Sequence, residues 1–497
     1  MTAFRYLLRA EWTKLRTVPG WVAGIAVAAF LIVGVGLMPG MRGSCGRSAC
    51  SLPVGPEGQE VTDSFTFLHR TLTGDGSVTV RVASLTGLMA VPEPGQSKPG
   101  LEPWAKAGLI VKDGVRPGST YAAVLLTGGH GTRMQYDYVH DRAGTSGTAA
   151  PHWLRLTRTG ATVTGEESVD GVAWTRVGTA RLPELPSTVE VGLFTTSPQH
   201  SETSSETLGL QGAFGGPTQA TAVFDHLSSS GNLTADDWTG TTIGAHGNAS
   251  GLEVGGSERT GDGFTVSGSG DIAPAVSGAA GLGVTITQTL VGTFLGLVLV
   301  VVVGVSYVTA EYRRGLIRTT LAANPRRGPV LAAKALVVGA VTFVVGLVAA
   351  ATVVALGTRV LRANGVYVHA VTTATEVRVV AGTAALLAMA AAFAVGLGAL
   401  IRRGSVAVTT AIVVVVLPYL LAVTVLPTGA ARWLLTWTPA AAFALQQSTP
   451  EYHQVANLYA PVAGYFPLAP LAGFAVLVGW ATVMLGLATL RLRRSAA

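Results

Sequence analysis

Six runs of this chain are long, apolar and free of Asp, Glu, Lys, Arg and His, and they constrain the fold more than any other feature. They are Trp21–Met38, the gap from Asp271 to Glu311 with its apolar core at Thr289–Val308, Ala335–Thr358, Val379–Ile401, Gly404–Leu426 and Ala469–Leu490. A helix needs about 20 mostly apolar residues to cross a bilayer. Each run meets that length, the 18-residue first run with help from its flanks. Composition agrees: 49% of the 497 residues are hydrophobic and 12% are charged, about half the charged share of a soluble chain. The expectation is a polytopic α-helical membrane protein with six transmembrane helices. Trp21–Met38 follows a basic flank, as a secretory signal does. It ends in GVGLMPGMRG without an Ala-x-Ala cleavage site, so it is expected to stay as a span.

The charges divide unevenly. Pro39–Gly283 holds 15 Lys and Arg against 23 Asp and Glu, a net of −8, whereas the rest holds 19 against 4, a net of +15. An acidic, water-facing block therefore sits inside a basic, apolar frame. This divides the chain into residues 1–38, 39–283 and 284–497. Alternating the spans puts 15 basic residues of the short segments on one side of the membrane: Arg5 to Arg16, Arg313 to Lys334, Arg402 and Arg403, and Arg491 to Arg494. Only Arg359, Arg362, Arg378 and Arg432 fall on the other. Lys and Arg mark the cytoplasmic side. Both termini are thus expected in the cytoplasm and residues 39–283 outside, in a multi-pass protein of the cell membrane.

The outer block lacks a long 3.6-residue apolar period but shows strand alternation. In SVTVRVASL, Val78, Val80 and Val82 point one way and Thr79 and Arg81 the other. Turn signals recur at Gly74-Asp75-Gly76, Asp113-Gly114 and Asp170-Gly171. Many short strands with regular turns predict an all-β sandwich between the first two spans. The stretch PHWLRLTRTGATVTGEESVDGVAWTRVG, from Pro151 to Gly178, resembles the hairpin of concanavalin A-like jelly-roll domains, and WAKAGLIVKDG from Trp104 fits the same family. The resemblance covers about residues 60–200. It implies a fold and not a ligand, because function belongs to sites. Tyr136, Tyr138 and Trp174 are candidate aromatic contacts for an envelope glycan, against the alternative that such residues are core. A glycosidase needs two carboxyl groups facing one bond, whereas Glu166 and Glu167 are neighbours that a strand points to opposite faces.

Cys45 and Cys50 are the only cysteines. Just beyond the first span, in an oxidising exterior, they are expected to form a disulfide, with free thiols as the alternative. No histidine stands at zinc-motif spacing beside them, so no metal is expected. No Gly-x-x-x-x-Gly-Lys-Ser/Thr loop occurs, so no ATP site is expected in this chain. The runs as drawn hold no ionisable side chain, which argues against ion-coupled transport. RWLLTWTPAAAFALQQ, from Arg432 to Gln447, is semi-apolar with Trp433 and Trp437 four apart; it reads equally as a re-entrant helix or as a surface loop with two anchoring indoles.

EYRRGLIRTTLAANPRRGPVLAAK, from Glu311 to Lys334, carries six basic residues and one acid between two spans. A nucleic-acid site would want stacking aromatics, and the stretch has Tyr312 alone. The positive-inside rule accounts for the charge. It does not account for the apolar stripe of Tyr312, Leu316, Ile317 and Leu321, which predicts a short helix ended by Asn324-Pro325.

This stretch resembles the cytoplasmic coupling segment of export-type ABC transporter permeases of the kind common in actinobacteria. LRAEWTKLRTVPGW, from Leu8 to Trp21, is similar to their amino-terminal interfacial helix, with Glu11, Trp12, Lys14, Leu15 and Arg16 as its site residues. The resemblance covers residues 1–38 and 284–497. It implies a permease that pairs with a second permease unit, identical or related. It also implies a separate ATPase that holds the ATP and magnesium. Glu311, Tyr312, Arg313, Arg314, Leu316, Arg318, Arg326 and Arg327 would then form the ATPase-coupling segment, with Glu311 pairing to a basic residue such as Lys14. The large outer insert departs from the family pattern. The alternative function is a non-transporting envelope receptor that displays the sandwich.

Overall fold

The computed structural model describes residues 2–38, 51–91, 96–145, 147, 150–205, 211–233, 237–244, 255–278, 283–313, 315–323 and 327–494. Six helices are long and apolar enough to span a membrane: Pro19–Gly36, Ile286–Arg313, Arg327–Ala363, Thr373–Ile401, Gly404–Thr424 and Pro470–Arg494. A helix over Thr2–Thr17 precedes them. An antiparallel β-sandwich lies between the first and second spans. Cys45 and Cys50 lie outside the described residues, as do Arg314 and Arg326.

The helices extend beyond the charge-free runs. The third starts at Arg327, so Lys334 lies within its first turns and is 2% exposed. The fourth starts at Thr373 and includes Glu376 and Arg378. Ionisable groups are therefore present in the spanning helices, contrary to the reading of the runs. Lys334 and Arg378 sit inside helical backbone with their charges met by partners near the helix ends.

Helix packing in lipid depends on close backbone approach, since tails offer little hydrophobic contrast. Gly36 shows this. A Cβ there would collide with the Thr289 carbonyl of the second span and the Val353 side chain of the third. The fifth span breaks where sequence demands it. Gly404–Val415 and Leu417–Thr424 are separate helical pieces, with Pro418 at the start of the second, because proline lacks the amide that would continue the ladder.

After the fifth span, Thr428–Trp437 forms a helix with Trp433 and Trp437 exposed. Pro439–Gln446 then forms a 3₁₀ turn in which every residue is buried. The second part is packed inside the helices, and the two indoles stand on the helix before it.

The sandwich is organised by one long strand, Phe65–Ala90. Its first half pairs with Thr188–Thr196, which leads on to Lys106–Lys112, Tyr121–Thr127, Thr132–Tyr136 and His140–Ala143. Its second half pairs with His152–Thr159, followed by Thr162–Ser168 and Thr175–Arg181. The two layers enclose a core that includes Val78, Val80, Leu109, Val124, Leu154 and Leu156. Strand His152–Thr159 alternates, with Leu154 and Leu156 inward and Trp153 and Arg155 outward, as the two-residue period requires.

The entry and exit legs of this domain pair with each other, Val61–Asp63 against Ile272–Pro274. Two fully buried lysines of one strand grip the legs. Lys112 Nζ lies 2.8 Å from Asp63 Oδ2, and Lys106 Nζ lies 2.5 Å from Asp271 Oδ1. Glu60, one residue before the stem, reaches the turn between the third and fourth spans: His369 Nδ1 is 3.0 Å from one oxygen, and the Ala370 amide donates to the other at 3.1 Å.

Candidate functional site

At the end of the bundle opposite the sandwich, a buried charge cluster joins three helices. The amino-terminal helix is amphipathic: Glu11 and Leu15, one turn apart, are buried, while Trp12 and Arg16 face out. Lys334 Nζ lies 3.0 and 2.9 Å from the two Glu11 oxygens and 2.6 Å from Glu311 Oε1. Lys14 Nζ lies 3.1 Å from Glu11 Oε1 and 3.1 Å from Glu311 Oε1. The Tyr307 hydroxyl donates to Glu11 Oε2 at 2.7 Å. Two lysines and two glutamates balance to zero, which is what makes their burial tolerable.

The electrostatics favour this charged arrangement. Burial works against ionised Glu11, but Lys334, the Tyr307 hydroxyl and Lys14 outweigh it and hold the carboxyl below its ordinary 4.5. Burial likewise disfavours charged Lys14, and Glu11 and Glu311 together raise it above 10.5. The cluster welds the amino-terminal helix to the end of the second span and the start of the third. Those two helices are the ones that flank the basic segment.

The basic segment itself differs from the predicted stripe. The second span continues through Tyr312 to Arg313, and Leu316–Ala323 is a separate short helix. Gly315 divides them at φ 69°, in the left-handed region that glycine adopts without penalty. Tyr312 therefore belongs to the spanning helix, with Arg402 stacked over its ring at 5.5 Å. Leu316 starts the short helix and is exposed. Arg327 opens the third span and donates to the carbonyl of Leu492 at the end of the sixth. Arg491 donates to the Leu400 carbonyl at 2.6 Å. These contacts gather the basic ends of four spans in one place.

The aromatics singled out in the sandwich do not form a shared platform. Tyr138 is 1% exposed, and its hydroxyl donates to Asp63 Oδ2 at 2.8 Å beside Lys112, so it is a core residue of the stem. Its burial follows from the leg carboxylate, 75 positions away. Tyr136 stacks on His140 at 4.4 Å, and Trp174 lies under Arg155 at 4.1 Å. Glu166 and Glu167 do point to opposite faces: Glu166 pairs with Arg155 at 2.8 Å, and Glu167 is buried against His152 at 3.0 Å.

Sequence reading named Glu11, Lys14 and Glu311 but counted Lys334 only as loop charge and passed over Tyr307. A tyrosine deep in an apolar run needs a partner for its hydroxyl, which is the signal that was available for Tyr307.

Fold and cluster together define a multi-pass helical membrane protein whose basic end is cross-braced by buried charges and whose other end carries a sandwich. The chain belongs to a family of membrane transporters: the family described as "ABC-2 family transporter protein" matches residues 144–496. It is thus a transporter membrane subunit with a permease role, and this family in general works with a partnering ATPase subunit. No curated protein matches the chain. Among solved structures, a functionally unknown protein from Saccharomyces cerevisiae is 18% identical, covering 37% of this chain and 84% of that one at a TM-score of 0.20. SCP-B, a member of the Eqolisin family of peptidases in a complex with the tripeptide Ala-Ile-His, is 11% identical, covering 41% and 98% at a TM-score of 0.24. A mutant of the GH43 protein BlXynB from Bacillus licheniformis is 14% identical, covering 24% of each chain at a TM-score of 0.17. Likenesses this weak carry no argument about function.

Proposed function

We propose that the chain is the permease subunit of an ATP-driven exporter, with both termini and the Glu311–Lys334 segment in the cytoplasm and the sandwich outside. A separate ATPase, holding the ATP and magnesium, docks on the basic segment. Two permease units, identical or related, complete the transporter. The observation that carries the reading is the cluster of Glu11, Lys14, Glu311 and Lys334. Force applied to the short helix Leu316–Ala323 reaches the second and third spans directly, and the cluster passes it to the amino-terminal helix. The sandwich stands where cargo leaves the membrane. Its position beyond the spans, rather than its fold, supports cargo or an envelope glycan as its ligand.

The test is co-expression with a candidate ATPase and purification through a tag on this chain. The ATPase co-purifies, and Arg314→Glu with Arg318→Glu releases it while the permease stays folded. Retention of the ATPase by that variant, or its absence from the wild-type preparation, overturns the coupling role. For orientation, single cysteines at Ser168 and Ser405 in a Cys-free background are labelled in intact cells. Position 168 reacts from outside; reaction at 405 reverses the topology.

A further inference from the structure

Beside the sandwich, at the other end of the bundle from the charge cluster, lies a cavity of about 900 Å³. That is the size of a small-molecule site, which in general combines apolar walls with a few placed polar groups. Leu426, Leu435, Val462, Phe466 and Leu468 supply apolar wall. Arg432 lies at the cavity with its side chain exposed. Tyr465, also in the lining, is 1% exposed, and its hydroxyl is buried without a hydrogen-bond partner. That hydroxyl has almost no accessible surface, so it lies behind the wall and does not face an occupant.

The position of the cavity selects the occupant. One wall comes from the fifth span, whose Leu420 is exposed on the outside of the bundle, as is Val425 just beyond it. The helix carrying Arg432 also presents Trp433 and Trp437 outward, and indoles settle at the headgroup level of a bilayer. The loop on the other side, through Gln454 and Val455, packs on the sandwich and its stem. The cavity is therefore mostly apolar, level with the headgroups and walled by a lipid-facing helix, and its lining includes both the guanidinium of Arg432 and the carboxylate of Glu451.

We propose that it holds an anionic phospholipid drawn from the surrounding leaflet, with an acyl chain among Leu426, Leu435 and Phe466 and the phosphate at Arg432. A cation at the membrane surface favours anionic headgroups. The site does not depend on transport, so it stands or falls separately from the exporter reading.

The experiment uses the full chain in nanodiscs with a phosphatidylglycerol bearing a diazirine in its acyl chain, and the matching phosphatidylcholine as control. After irradiation, adducts are mapped by peptide mass spectrometry. The phosphatidylglycerol adducts concentrate on residues 426–468, at least about fivefold over the exposed Val344 and Val348 of the third span. Val462→Trp, a change at an exposed position, lowers them about fivefold. Arg432→Gln brings phosphatidylglycerol and phosphatidylcholine to equal labelling. Uniform labelling across all lipid-facing helices, or labelling unchanged by Val462→Trp, overturns the proposal. Equal labelling by both lipids in the wild type overturns the role of Arg432.

Discussion

Glu11 and Lys334 lie 323 positions apart in sequence, yet both are 2% exposed and their charged atoms approach to 2.9 Å. Such a pair is held by attraction and hydrogen bonding against the cost of desolvation. Removing one partner strands the other charge in a low-dielectric site, at a cost of about 3–5 kcal/mol. Lys334→Ala and Glu11→Ala are each expected to lower the unfolding midpoint of the purified protein strongly. Glu11→Leu combined with Lys334→Met is expected to recover much of the loss, because neither charge is then left alone. A thermal unfolding series in detergent checks this, and additive losses in the double variant count against the pairing.

Gly36 sits where the first span meets the second and third, and a larger residue has no space there. Gly36→Val is expected to cost about 1–3 kcal/mol or more, as overpacking does. The readout is hydrogen exchange, with faster exchange in Pro19–Gly36 and around Thr289 than in the sixth span. Equal protection in the variant contradicts the packing.

Arg378 donates to the carbonyls of Leu445 and Gln447, at 3.2 and 2.7 Å, at the end of the buried segment Pro439–Gln446. The fork of a guanidinium serves two acceptors, and an ammonium does not reproduce it. Arg378→Lys and Arg378→Ala are both expected to increase proteolysis near Gln447, while Arg362→Ala is not. Limited proteolysis in native lipid decides it.

Glu167 gives a pH signature. Burial raises its pKa, but hydrogen bonds from His152 and from the amide and hydroxyl of Thr145 prevail and lower it to about 2 from the ordinary 4.5. In the unfolded chain the carboxyl takes up its proton near the ordinary value. Between those pH values the unfolded state binds more protons, so stability falls as pH falls. The contribution is complete above about 4.5 and lost by about 2. Glu167→Gln is expected to flatten this limb for the sandwich, measured by tryptophan fluorescence in an acid titration. An unchanged acid limb refutes it.

Much of this architecture was readable in one dimension. Apolar runs revealed six spans, and the alternation of Val78, Val80 and Val82 revealed a sheet, because both signals are local. The limits of the runs were less faithful. Lys334 and Arg378 continue helices past the points where charge had ended the runs, since each finds partners that only the folded chain supplies. Tyr138 was ambiguous for the same reason: it lies in the turn between Thr132–Tyr136 and His140–Ala143, and only the folded chain sets Asp63 beside its hydroxyl. Gly315 was available as a helix breaker inside the stripe, but the spacing of Tyr312, Leu316 and Ile317 concealed it. Residues 45 and 50, expected as a disulfide, lie outside the described residues.

The paired legs Val61–Asp63 and Ile272–Pro274 have a consequence for engineering. Paired strands run about 5 Å apart, so the chain leaves the membrane domain and returns to it at almost the same point. Cutting out everything above the stem would leave two ends that a tight turn can rejoin. The sandwich thus joins the helices through one narrow two-stranded stem, so that a change in its size need not alter how the six helices are connected.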